Sequence, residues 1–274
     1  MLEYLEANGG TLLFAVMVGT FALAIVWEEL LPRRVVSRES IKRWPGNIAL
    51  SLTNIIFTRW LDAALAVGTV WWVSQYGSGL LSAEGFNFAA ALVITFLVYE
   101  LIGYSVHILL HRVGWMWRVH AAHHSDTELD FSSTYRHHPF EHVLMSAAGM
   151  PFALLLGPPV AALVIYHSCR MIANILSHSN IYLTPGVDRW LRFLVVTPDF
   201  HRGHHSADRK YTNSNYGALL TVFDHLFGTA TERPFDEHNS MKIGLEYFRE
   251  RRDSRMDQLL LIPFKSPPSR GVDR

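Results

Sequence analysis

Apolar residues do not recur along this chain at the period of a half-buried helix or strand. They fall in long blocks, with polar, histidine-bearing segments between them. Residues 7–27 are a run of 21 without a charge, about 32 Å as a helix and enough to cross a hydrocarbon layer of roughly 30 Å. Glu3 and Glu6 stand where a signal peptide carries basic residues, and Glu28-Glu29 offers no small-residue cleavage site. The block therefore reads as a retained transmembrane helix. Arg33, Arg34, Arg38, Lys42 and Arg43 follow it, and by the positive-inside rule that segment is cytoplasmic with the N-terminus outside.

The next block, 45–81, is too long for one plain span and carries Arg59 and Asp62 in its middle. Charges at the bilayer centre are costly, which puts the span at 63–81 and leaves 47–60 along the interface. Residues 86–106 bring the chain back and deliver His107 and His111 at the membrane surface. Glu100, one or two turns earlier, is a candidate for bracing a site or lining a substrate channel, and equally for a plain interfacial position. Block 143–177 is broken near its midpoint by Gly157-Pro158-Pro159 and reads as a helical hairpin that enters and returns.

The pattern predicts an all-α integral membrane protein with about four membrane-crossing segments, the hairpin included, and a cytosolic histidine-rich helical cap. Three parts follow: N-terminal membrane segments with a basic loop (1–85), a catalytic part (86–230) and a cytosolic tail (231–274). From Asn180 onward the chain is mixed, with helical pieces expected around 187–196 and 216–227. The stretch after Phe248 reads as a surface helix with a disordered end, its basic residues and 259–264 able to touch a membrane surface.

Composition agrees. Half the residues are hydrophobic, 18% are charged, and the mean hydropathy is +0.14. Net charge is zero with no long basic run, so nothing points to nucleic acid. The single cysteine, Cys169, excludes an internal disulfide framework and any thiolate-held cluster.

The chemistry lies in the histidines, 13 of 15 of which fall between positions 107 and 205. His107 and His111 form H-x3-H; His120, His123 and His124 form H-x2-HH, and His201, His204 and His205 repeat it. Residues at i, i+3 and i+4 share a helix face, so each cluster directs its rings together. These eight imidazoles exceed what one metal ion needs, which points to two ions. Neither H-E-x-x-H nor Glu-x-x-His occurs, arguing against a zinc protease and a carboxylate-rich di-iron bundle. Imidazole suits iron, zinc and copper alike. Asp126, Glu141 and Asp199 lie near the clusters in sequence, for bridging or for orienting ligands. Two other readings stand beside an oxygenase: a di-zinc membrane hydrolase, and a non-enzymatic metal-binding or transport protein. Transport sites sit near the midplane, whereas these histidines lie beyond the span ends.

Further motifs join the set: W-x2-H-x2-HH (117–124), R-x-H-P-x-E (136–141), T-P-x-F-H-R-x-HH (197–205), Asn215-Tyr216-Gly217, and Asp224-x2-Phe227-Gly228-Thr229. Over roughly residues 86–230 the combination resembles the fatty acid hydroxylase / sterol desaturase superfamily of membrane di-iron oxygenases. That resemblance implies O2-dependent hydroxylation or desaturation of a lipid C–H bond by two iron ions, with zinc a possible substitute. The implied ligands are His107, His111, His120, His123, His124, His201, His204 and His205, with His178 as the histidine between the second and third boxes. Asn174, four residues before His178, is implied as a further ligand or orienting group. His138 is implied as a supporting residue more than a ligand, and Arg136 and Glu141 as braces of their box. No haem signature or dinucleotide fingerprint is present (Gly77-Ser-Gly79 lacks a third glycine), so electrons are expected from a ferredoxin or a cytochrome b5 with its reductase. Short loops and no C-terminal lysine retrieval signal favour a bacterial inner membrane over an endoplasmic reticulum. The lipid substrate, whether sterol, sphingoid, fatty acyl or other, has no readable motif.

Overall fold

A computed structural model describes residues 1–83 and 85–265 of the chain. Three long helices come first: α1 (Leu2–Leu30), α2 (Trp44–Tyr76) and α3 (Phe88–Arg112). The short α4 (Gly114–His124) follows, then the pair α5 (Pro139–Leu156) and α6 (Val160–His178). The remainder holds α7 (Pro185–Leu191), α8 (Pro198–His204), α9 (Arg209–Thr212), α10 (Val222–Phe227) and α11 (Met256–Leu261). Among the described residues there is no sheet; strand-like pairing is limited to isolated bridges such as Pro32 with Ile181 and Val195 with Leu220. The all-α membrane architecture is thus present.

Five helices, α1, α2, α3, α5 and α6, are long and apolar enough to cross a membrane. The expected hairpin resolves into two such helices, of 18 and 19 residues, each about 28 Å long, so five segments stand where about four were expected. Their ends sort onto two levels. At one level Gly79, before α3, meets Gly157, between α5 and α6, so closely that a Cβ on either would strike the other's backbone. Gly157 also closes α5 at φ +53°, where a side chain is strained, and its carbonyl accepts from Ser82 Oγ at 2.5 Å. Helices α1 and α6 run parallel from that level, with Gly9 against Val164 near the start and Pro32 bridged to Ile181 at the finish. The histidine-bearing ends of α3 and α6 therefore share the opposite level.

The second block differs from expectation. Rather than an interfacial piece followed by a span, α2 is one continuous helix of 33 residues, about 50 Å, with Arg59 and Asp62 inside it. Such a helix outruns the bilayer, and its first turns belong to the cap. Asn47 Nδ2 donates to Asp126 (2.8 Å) and Ser132 (3.1 Å), and Asn54 Nδ2 donates to the carbonyls of Tyr135 (3.1 Å) and His137 (2.6 Å).

The basic segment is structural as well. Arg33 and Arg43 are only 5% and 4% exposed. Arg33 Nε donates to Asp199 at 2.9 Å, while Arg43 binds Asp126 at 2.6 Å together with Asp130. The tail is docked rather than loose: Leu259 and Ile262 form a core with Leu50 of α2, Ala121 and Ala122 of α4, and Leu245. The disordered end expected beyond it, residues 266–274, lies outside the described residues. Replacing Arg43 with Leu removes the guanidinium paired with buried Asp130 and leaves Asp126 with Arg136 alone, and a loss of about 3–5 kcal/mol is expected in denaturant unfolding of the detergent-solubilised protein. Exposed Arg38→Leu serves as the control; equal effects of the two variants would contradict the brace.

Candidate metal centre

Nine histidines converge from α3, α4, α6 and the α8 region into two adjoining groups. The nitrogens of His107, His111, His120, His124 and His204 lie within 4.8 Å of one another, as do those of His123, His178, His201 and His205. Each H-x2-HH triplet is divided between the groups. On a helix turning about 100° per residue, i and i+4 nearly coincide in direction while i+3 points about 100° from i+4. Hence His120 and His124 stay together and His123 crosses to the second group; from α8, His201 and His205 join that group and His204 crosses to the first. The triplet is a device for serving two adjacent pockets. His120, His123, His124, His178, His201, His204 and His205 are all buried, and His107 and His111 are half-buried.

The outer nitrogen of several rings has an acceptor. His107 Nδ1 donates to the carbonyl of Tyr216 (2.8 Å), His204 Nδ1 to Ser214 (2.7 Å) and His178 Nδ1 to Asn174 (2.8 Å). His120 Nδ1 donates to the Glu141 carboxylate at 3.0 Å. A carbonyl or carboxylate oxygen only accepts, so Nδ1 carries the proton and a neutral ring presents a bare lone pair at Nε2. In the first pocket the bare lone pairs of His107 and His120 face each other, and in the second the Nε2 of His178 faces those of His123 and His201, whose Nδ1 atoms have no hydrogen-bond partner among the described residues. His107 Nε2 stands 3.2 Å from His120 Nε2, and His178 Nε2 stands 3.1 Å from His123 Nε2 and 3.0 Å from His201 Nε2. His204 Nε2 is buried with no hydrogen-bond partner. Opposed lone pairs repel unless a cation lies between them, and the donor set fits metal ions in both pockets.

The surrounding residues fix the rings. Asn215, at φ +56°, donates Nδ2 to the carbonyls of Phe200 and Thr231 (both 3.0 Å). Asp224 accepts from the main-chain nitrogens of Tyr216 (2.8 Å) and Gly217 (2.7 Å), and from Thr229 Oγ1 (2.7 Å). The Asn-Tyr-Gly and Asp…Gly-Thr motifs are therefore one clasp that presents the Ser214 and Tyr216 carbonyls to His204 and His107. Glu100 reinforces it from α3, accepting from the nitrogens of Leu219 (3.0 Å) and Leu220 (2.9 Å) and from Tyr166 OH (2.9 Å). Arg136, fully buried, donates to the last carbonyls of α4, His123 among them at 3.2 Å. Asn174 acts through its main-chain carbonyl.

His138 sits apart from both groups. Its Nδ1 caps α5 by accepting from Phe140 N (3.2 Å), and its Nε2 donates to the Leu260 carbonyl (3.3 Å). The neighbouring His137, missed in the sequence reading, faces the site. It stacks on His123 at 4.0 Å and shares Glu141 with His120, its Nδ1 lying 2.9 Å from Oε1. The i, i+4 spacing of His137 and Glu141 was the available signal.

Burial keeps these cap rings neutral, while the carboxylates around them stay charged. Burial, then neighbouring histidines, hold His123, His124, His201 and His205 well below the ordinary 6.5, and burial takes His204 to about 3. Burial disfavours the charge of Asp199, but Arg202, His238 and Arg33 outweigh it and keep its carboxyl below the usual range. Asp126 is held low in the same way by Arg43 and Arg136.

An all-helical membrane bundle carrying two adjoining all-histidine pockets defines a class: integral membrane proteins with histidine clusters that could hold metal ions. The fatty acid hydroxylase family matches residues 92–229, and the chain belongs to that family. It is 27% identical over 228 residues to ornithine lipid hydroxylase OlsE of Rhizobium tropici, covering 80% of this chain and 67% of that protein. It is 28% identical over 126 residues to human alkylglycerol monooxygenase, covering 46% of this chain but 27% of that protein. Very-long-chain aldehyde decarbonylase GL1-6 of Oryza sativa subsp. indica is 28% identical over 153 residues, 50% of this chain and 22% of that protein. No solved structure matches.

Two outcomes are expected. Glu141→Gln removes the carboxylate charge and leaves an acceptor oxygen for only one of His120 and His137; it should weaken metal binding about 10- to 100-fold in chelator competition, and unchanged affinity would remove Glu141 from this role. For the metal-free protein, the unfolded chain gains protons on these histidines near pH 6.5 while the folded chain does not. Stability is therefore full above about 6.5 and is lost as pH falls toward about 3, at about 1.4 kcal/mol per unit per ring. Melting temperatures that stay flat from pH 7.5 to 5 would contradict this.

Proposed function

We propose that this protein hydroxylates a C–H bond of a membrane lipid, using O2 and two iron ions held by His107, His111, His120, His124 and His204 in one pocket and His123, His178, His201 and His205 in the other. The observation that carries this reading is the pair of adjoining pockets in which histidine Nε2 atoms converge on one another at close range. Bound iron would supply O2 activation and oxidation of an unactivated C–H bond. Overall, one O2, two electrons and two protons yield one lipid hydroxyl and one water. The names of the relatives, a lipid hydroxylase and a monooxygenase, favour hydroxylation over desaturation.

The chain's own part is positioning and exclusion. Main-chain carbonyls and Glu141 fix the tautomer and tilt of the rings, and burial of the cap histidines keeps bulk water from the reacting centre. The histidines would hold two divalent ions as neutral ligands, leaving most of the ions' positive charge uncompensated. The site's place at the ends of α3 and α6 lets an acyl chain rise from the bilayer while electrons arrive from the aqueous side. The donor is a separate ferredoxin, or a cytochrome b5 with its reductase. The basic residues 33–43 support a cytoplasmic position for this end, and our reading of the membrane is a bacterial inner one.

The test supplies iron-loaded protein in vesicles with a ferredoxin, its reductase, 18O2 and candidate lipids, ornithine lipids and alkylglycerols first. Mass spectrometry should find one 18O atom in a lipid alcohol. His204→Ala and His205→Ala should each lower metal content by about one ion and abolish the product, whereas His138→Ala should retain both ions. Product formed without O2 by zinc-loaded protein would instead establish the hydrolase.

A further inference from the structure

Two pieces of the cap are amphipathic in a way the metal site does not use. In α7 and the turn after it, Trp190, Phe193 and Leu194 are 78%, 78% and 60% exposed; in α10, Leu226 and Phe227 are 68% and 57% exposed. The pieces form one surface. Val196 N donates to the Leu219 carbonyl (2.9 Å), Thr221 N to that of Leu194 (3.1 Å), and the rings of Phe193 and His225 lie 6.0 Å apart. Apolar area of this kind on a water-facing cap would be a liability.

The height of the patch says what covers it. Its inner side packs on α3, a helix of membrane-crossing length and composition. Phe227 stacks on Tyr104 at 5.6 Å, Phe223 lies 5.9 Å from the same ring, and the strip before α10 is bound to Glu100 through Leu219 and Leu220. Glu100 and Tyr104 are 12 and 16 residues from the start of α3 at Phe88, about 18 and 24 Å along a hydrocarbon layer of roughly 30 Å. Segments bonded to α3 at that height stand beside acyl chains, and their outward aromatic and aliphatic side chains face lipid. Exposed Arg189 next to Trp190 is the cation-and-indole pairing found at headgroup level.

We propose that residues 187–194 and 222–227 form a wedge seated in the acyl edge of a phospholipid leaflet beside α3, anchoring the cap in the membrane. The wedge then holds Tyr216, whose ring is 5.5 Å from that of His107, at the border between leaflet and metal pockets. This rests on the membrane placement of α3 and on no feature of the reaction, so its test needs neither metal nor substrate.

In a Cys169→Ser background, spin labels on W190C, F193C and L226C are read in lipid nanodiscs, with labels at the exposed cap positions R209C and K242C as aqueous references. Labels in the wedge should relax several-fold more with O2 than with a water-soluble nickel chelate, and the reference labels should show the reverse. A second measurement needs no cysteine: brominated acyl chains should quench the wild-type emission more than that of Trp190→Phe. Aqueous-type relaxation at all three wedge positions would overturn the proposal. So would dipolar broadening there that depends on a second labelled chain, because the patch would then be a protein contact.

Discussion

Imidazole nitrogens with bare lone pairs repel at 3 Å, yet His107 faces His120 at about that distance inside a buried core, and the Nε2 of His178 stands as close to those of His123 and His201. The rest of the structure depends on making this arrangement stable. Rotating His107, His120, His178 and His204 away is prevented because their outer nitrogens are already bonded to main-chain carbonyls and to Glu141. Protonating them is opposed by burial, which holds the cap histidines far below their ordinary range. A cation in each pocket relieves the repulsion with no rearrangement, so the protein is preorganised for metal before metal arrives.

Keeping nine rings so placed requires a frame stiffer than a loop-borne cap, and the chain builds it by letting membrane helices and cap interpenetrate. Helix α2 continues past the bilayer to grip the segment 126–137 with Asn47 and Asn54. The segment between α1 and α2 sends Arg33 to Asp199 beside one histidine triplet and Arg43 to Asp126 beside the other. Buried pairs of this kind contribute little net stability compared with well-packed apolar residues, but removing one partner is costly. Their effect is to fix position. Glu100 does the same from within a span, tying α3 to the clasp that orients His107 and His204. The apolar outer surface of that clasp brings the metal pockets to the level of the leaflet.

Much of this was legible in the sequence because histidine spacing is itself geometric. The boxes, with His178 between them, marked the nine rings of the two pockets but not His137 beside them, and the apolar blocks marked the long helices. What escaped depended on contacts distant in the chain. Arg33 and Arg43 read as orientation signals because their acidic partners lie more than 80 residues away. The hairpin was legible from Gly157-Pro158-Pro159, although residues 139–142, which begin its first helix, were not. His138 drew attention through its motif, but choosing between adjacent histidines required the direction of approach to α5, which sends His137 inward and leaves His138 as a cap. The docking of Leu259 and Ile262 on α4 is tertiary packing with no local signature.

The most direct measurement is X-ray absorption at the iron edge of protein loaded with iron-57, with Mössbauer spectra from the same sample. Two adjoining histidine pockets require a first shell dominated by imidazole nitrogen, a second metal as a resolved outer scatterer, and magnetically coupled iron at about two ions per chain. A single isolated iron, or a shell dominated by oxygen with no metal neighbour, would contradict the paired-pocket centre on which the proposed chemistry stands.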